Sequence, residues 1–279
     1  MATEIVPGGM TEWRSASTAG GGTALTSTAT RIPIPRGTKQ IVLIPRNFST
    51  AVVVKYNLNP FLTILKTTDL LATSTNITDY SEAAQDLSTS TKVTLNSFDT
   101  IANSNALYIG SWLPFGGVDV DVNNTNSNAS VLTVKYWKQG SPNAWADISA
   151  SDGTTTGGHT FGQDGLVTWT VPSDWQSARL ISGQANQNYI GDTNLRLGIA
   201  QEELYWTRWE VSAALDSTTD CNSMISINRD TTYAELPSTV GMSQAISVGR
   251  QGLFSVTALT DAGTANLIVN CSTRTGGRF

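Results

Sequence analysis

Along this chain, hydrophobic positions either alternate with polar ones or gather in short β-branched runs. Pro, Gly and Asn punctuate the runs. Residues 32–66 read RIPIP, KQIVLIP, TAVVVKYNL and FLTILK, a pattern that predicts strands separated by turns. Pro33, Pro35 and Pro45 assign these strands to sheet edges or strand ends, because proline has no N–H to give a ladder. Period two is clearest at Val118-Asp119-Val120-Asp121-Val122, which puts the valines on one face and the aspartates on the other. VLTVKYW (131–137), LVTWTVP (166–172) and LYWTRWEVSAAL (204–215) predict three more strands. In the last, Leu204, Trp206, Arg208 and Glu210 share one face. Tyr205, Thr207, Trp209 and Val211 share the other. Both faces carry aromatic surface, so the strand is predicted covered on one side and partly contacted on the other. SMISINR, QAISVG, GLFSVTAL and ANLIVNCST continue the style, with Asp261-Ala262-Gly263 as a hairpin turn between the last two. Residues 67–100 are weaker, and there the pattern predicts one short helix near Tyr80–Leu87.

This spacing of strands and turns predicts an all-β fold, an antiparallel β-sandwich of jelly-roll-like kind. The strongest signals delimit a central sandwich at 101–216. The β-rich segments 32–100 and 217–279 are each too small to bury a full core, so they are predicted to join as a second small β-domain. Residues 1–31, with STAGGGTALTSTAT, can bury little apolar area and predict a flexible N-terminal arm. Two readings stand for it: a disordered tail, or an assembly arm that orders against a neighbouring subunit through Ile5, Val6, Met10 and Trp13.

Charged residues make up 14% of the 279 residues and the net charge is −5, which argues against a surface that tracks nucleic-acid phosphates. No apolar run approaches the roughly 20 residues of a membrane-spanning helix. The opening MATEIVPGGMTEWRS lacks the basic start and apolar core of a signal peptide. Cys221 and Cys271, both in the last quarter of the chain, could pair, but free buried thiols are the stronger reading. The Asn-x-Ser/Thr triplets at Asn47, Asn76 and Asn128 reflect a chain rich in these residues rather than glycosylation.

Candidate chemistry is sparse. The one histidine, His159, lies in TTTGGHTFGQDG and reads as a loop residue; no GxSxG elbow accompanies it. Asp119 and Asp121 share a strand face, roughly 7 Å apart by strand geometry. They raise a paired-carboxylate glycosidase reading, or with Asn123 a calcium reading. Asp147, Asp152, Asp164 and Asp174 sit in or near turns, where aspartate is favoured for its own hydrogen bonds. No catalytic residue, metal or cofactor is expected. Seven of the eight tryptophans lie between 112 and 209. Core packing is the stronger reading for them, and sugar stacking the other. Trp112, Trp137 and Trp145, with Asp119 and Asp121, form the candidate interaction surface.

The order of the aromatic and turn residues carries one more signal. Tyr108 and Gly110 are followed by Tyr136 and Trp137, then Gly140 and Trp145, then Asp152-Gly153-Thr154. Pro172, Asp174 and Trp175 come next, and then Tyr205, Trp206 and Arg208. This ordered set, over about 110 residues, resembles a β-sandwich module of tailed-phage virion structural proteins. The resemblance implies a non-enzymatic virion component made in the host cytoplasm. Its first implication is a capsid decoration (cement) protein on the outer head, self-associating as a trimer and contacting the major capsid protein. Its alternative is a tail fibre, spike or baseplate component that binds a receptor or carbohydrate. Trp145, Trp175 and Trp206 are expected to be largely buried, and Arg208 to be ion-paired or stacked among aromatics.

Overall fold

The structure, a computed structural model, describes residues 4–6, 10–14, 22–49, 52–72, 76–180, 202–228, 233–236, 243–248 and 252–274. The chain divides into two compact units: Met1–Pro60 with Asp230–Phe279, and the continuous segment Phe61–Arg229. Strands and turns build both.

The first unit begins with β1 (Glu4–Val6), β2 (Met10–Arg14), β3 (Thr23–Leu25), β4 (Thr30–Pro33), β5 (Thr38–Arg46) and β6 (Val54–Pro60). The second unit contains β7 (Thr63–Thr67), β8 (Ile77–Asp79), β9 (Val93–Thr94), β10 (Ala106–Ser111), β11 (Gly117–Asn124) and β12 (Leu132–Lys138). It continues through β13 (Ala144–Asp147), β14 (Ser151–Asp152), β15 (Gly165–Thr168), β16 (Ser177–Ala178), β17 (Leu204–Val211) and β18 (Asp220–Ile227). The chain then returns to the first unit with β19 (Ala234–Glu235), β20 (Gln244–Ser247), β21 (Leu253–Thr260) and β22 (Ala265–Arg274).

In the first unit, one sheet runs β1-β2-β22-β5-β20 with β3 also on β22, and the other runs β19-β6-β21-β4. The antiparallel ladder of β22 on β5 spans Asn266↔Arg46 to Thr273↔Thr38, with one irregularity near its end. Pro33 ends the edge strand β4. Pro45 lies past the reach of β20, which pairs only Gln40 to Leu43 of β5. Residues 1–31 differ from the expected arm. Their described part carries strands: β2 pairs β22 at Asn270–Arg274, β3 pairs it at Ala265–Leu267, and β4 begins on β21. Leu25 of β3 is fully buried, so this stretch contributes core as well as backbone pairing. The side chains of Ile5, Val6, Met10 and Trp13, and residues 15–21, lie outside the described residues. Asp261-Ala262-Gly263 is also corrected. It joins strands of two different sheets rather than closing a hairpin, because the Asp261 carboxylate accepts the Val53 and Ala262 N–H groups, at 2.8 Å each, and turns the chain away.

In the second unit, a sheet ordered β13-β12-β17-β10-β7-β8, with β16 on β17, faces a sheet ordered β14-β15-β11-β18-β9. Ile64, Leu107, Ile109, Val134, Tyr136, Trp209 and Val211 from the first sheet meet Val118, Val120, Val122, Val167, Cys221 and Met224 from the second in one apolar core. The alternating valines of β11 thus point inward. The unit begins at 61, not 101, because β7 pairs β10 from Thr63 to Thr67 and β9 pairs β18. The expected helix at Tyr80–Leu87 is a single turn, closed by Ala84 N–H on Tyr80 O at 2.9 Å. Its Gln85 side chain is withdrawn to Leu62, accepting the Leu62 N–H at 2.8 Å and donating to its carbonyl at 2.7 Å.

Candidate functional site

β12 and β13 form the hairpin YWKQGSPNAWAD, closed by Gly140 N–H donating to the Asn143 side chain at 2.8 Å. The strand period decides where its aromatics go. Tyr136 points into the core, while Trp137 points to the other face of the sheet, directly opposite Trp145 on β13. Their rings meet edge-on with centroids 5.4 Å apart. A second apolar cluster covers this outer face: Leu65, Leu71, Ala106, Tyr108, Leu180, Leu204 and Trp206 are buried, with Trp112 and Trp145 half-buried at its rim.

Trp206 is fully buried, and its indole N–H donates to Ala178 O at 3.0 Å. It lies across Gly110 on the neighbouring strand β10. A Cβ at position 110 would fall 2.4 Å from the indole ring. That close approach is why a glycine follows Tyr108 by two residues. Two positions beyond Trp206, the Arg208 guanidinium sits 4.9 Å from the centre of the Trp145 ring. It also pairs with Glu210 on the same strand face, Nε to Oε1 at 2.7 Å and Nη2 to Oε1 at 2.6 Å. Lys135 of β12 takes the other carboxylate oxygen at 2.9 Å. Arg208 is thus both ion-paired and stacked. Glu210 and Lys135 were not singled out in the sequence; the signal was Glu210 sharing a strand face with Arg208 two residues away.

The remaining motif residues meet in the same region. The Tyr136 hydroxyl donates to Asp174 at 2.9 Å, and Lys138 reaches the other oxygen at 3.5 Å. The Tyr136 hydrogen bond, aided by Lys138, holds Asp174 below the usual carboxylate range. Burial first, and Asp174 second, push the Tyr136 hydroxyl up. Trp175 then inserts beside Phe115, Tyr136 and Tyr205, at ring separations of 5.5, 6.2 and 5.9 Å. In the Asp152-Gly153-Thr154 turn, the Asp152 carboxylate accepts from the Thr154 N–H and from the hydroxyls of Thr154, Thr155 and Thr160.

The candidate surface residues do not converge. Trp112, Trp137 and Trp145 belong to the outer face of one sheet, whereas Asp119 and Asp121 lie on β11 of the opposite sheet, facing away from the shared core. Trp175 and Trp206 are buried, and Trp145 is partly buried, because β13 is an edge strand with no neighbour beyond it among the described strands. His159 flanks a two-residue turn of Gly157 and Gly158, at φ 58° and 85°, and pairs with Thr156 on both backbone groups. Cys221 and Cys271 are free and buried. Burial drives both thiols up, Cys271 to about 12. Among the described residues no group of three or more His, Cys, Asp or Glu is placed to hold a metal ion. No protein-family model matches this chain, and no curated protein does.

Proposed function

We propose that this protein is a non-enzymatic structural component of a phage particle, a decoration protein of the outer head surface. One observation carries the reading: the residues that bear the resemblance contact one another as packing and turn-stabilising positions. Gly110 makes room for Trp206. Tyr136 and Lys138 hold Asp174. Trp137, Trp145 and Arg208 form one stack. Asp152 organises its own turn. Such a module serves as a rigid scaffold whose use is to present surface. The low charge suits a protein that coats rather than binds nucleic acid. A component of a symmetric shell forms closed oligomers or sits on a symmetry axis, and a trimer on the major capsid protein is the proposed arrangement.

The half-exposed Trp112 and Trp145 favour a second reading, a tail fibre, spike or baseplate component whose aromatic rim stacks on a sugar. Two measurements separate them. Finding the chain on DNA-filled heads that lack tails supports decoration. Saturable binding on a glycan array that is lost in Trp145→Ala, together with absence from tailless heads, overturns it in favour of the second.

A further inference from the structure

Asp121 has a partner that the surface reading does not use. Its carboxylate Oδ1 accepts a hydrogen bond from Asn222 Nδ2 at 2.9 Å. The other end of the same amide, Asn222 Oδ1, is in contact with Lys92 Nζ. These three residues come from three neighbouring stretches of one sheet. Lys92 immediately precedes β9, Asn222 lies on β18 and Asp121 on β11. The pairing of Val93 with Cys221 brings the next positions outward, Lys92 and Asn222, side by side.

Asn222 is also the extra residue of a β-bulge. Asp121 pairs with Ser223 and the next residue, Val122, pairs with Cys221, so Asn222 has no partner on β11. A bulge re-aims a side chain that regular alternation would place elsewhere. Here it lays the Asn222 amide between an amine and a carboxylate, with buried Cys221 beneath in the core.

We propose that Lys92 and Asn222 form an intramolecular isopeptide bond, with Asp121 as the proton carrier. In its neutral form Lys92 Nζ adds to the Asn222 side-chain carbon Cγ, and the carbonyl electron pair moves onto Oδ1. The proton released from Nζ leaves to solvent at this exposed site, and Asp121, itself recharged from solvent, delivers a proton to Nδ2, to which it is already hydrogen-bonded. Collapse of the adduct breaks the Cγ–Nδ2 bond and releases ammonia. An amine and a primary amide become a secondary amide and ammonia; nothing is oxidised or reduced. The product ties the start of β9 covalently to β18 and closes a long loop of chain, which restricts the unfolded ensemble as a disulfide does.

The test is the intact mass of the purified, folded full chain after prolonged incubation at neutral pH. The expected mass is one ammonia below that of the sequence, and a tryptic digest contains a branched peptide joining Lys92 to Asn222, with no cleavage after Lys92. Lys92→Arg and Asn222→Ala keep the full sequence mass. Asp121→Asn, shown folded by circular dichroism, slows the loss of ammonia at least about tenfold, the lower end of the usual contribution of a positioned acid–base group being larger still. A folded wild-type chain that retains its full sequence mass overturns the proposal. So does a mass loss that persists in Lys92→Arg, and so does simple conversion of Asn222 to aspartate.

Discussion

Gly110 and Trp206 give the sharpest single-residue expectations. Gly110→Ala forces a methyl group to 2.4 Å from the indole, and neither the fully buried ring nor the strand backbone can give way freely. The cost is that of overpacking, about 1–3 kcal/mol, read as a drop in the urea midpoint with an unchanged slope. Trp206→Ala empties the same space from the other side and costs about 3–5 kcal/mol. Trp145→Ala costs less than about 3 kcal/mol, below the usual range for a buried aromatic, because Trp145 is only partly buried. Alternation in LYWTRWEV assigned Trp206, Arg208 and Glu210 to one face correctly, and VDVDV sent its valines inward. The exposure of Trp145 was not legible. It depends on β13 having no strand outside it, which is a property of sheet order and not of the residues around Trp145.

The turn after β17 shows how a polar element is held in place. The Asp216 carboxylate accepts from the N–H and hydroxyl of Thr218, the hydroxyl of Thr219, and the N–H and hydroxyl of Ser127. Desolvation raises its pKa, but the hydrogen bonds from Thr218 and Ser127 outweigh this and leave it well below the ordinary carboxylate value. A carboxylate depressed on folding stabilises the folded state above its unfolded pKa of about 3.9. That contribution is lost as pH falls from there through the folded value. Asp216→Asn offers one acceptor oxygen to groups that now share two. It should lower the melting temperature at neutral pH, and its melting temperature should fall less steeply than the wild type's below about pH 4. Equal acid slopes for the two proteins would show that Asp216 does not contribute. Asp, Ser and Thr favour turns in general, but which turns share a carboxylate depends on residues some ninety positions apart.

At the scale of the whole molecule, local pattern predicted strands in most of the right places but could not say which of them pair. β22 is bordered by β5 on one side and by β2 and β3 on the other. β21 is bordered by β6 and β4. Every neighbour of these two C-terminal strands comes from the first 60 residues, so the first unit needs both ends of the chain. The second unit is one continuous segment with its own core. Residues 61–229 produced alone should therefore fold, with cooperative unfolding and dispersed amide resonances. Residues 1–60 alone should not, because β21 and β22 are missing and their partners would be left as open edges. Tryptophan fluorescence provides a second check in the intact chain. Seven of the eight tryptophans belong to the second unit and only Trp13 to the first, so fluorescence follows the second unit while far-ultraviolet circular dichroism follows both. Urea curves from the two probes should separate, since two compact units need not unfold together. If they coincide, and the 61–229 fragment is unfolded by itself, the chain is one cooperative unit and the division fails.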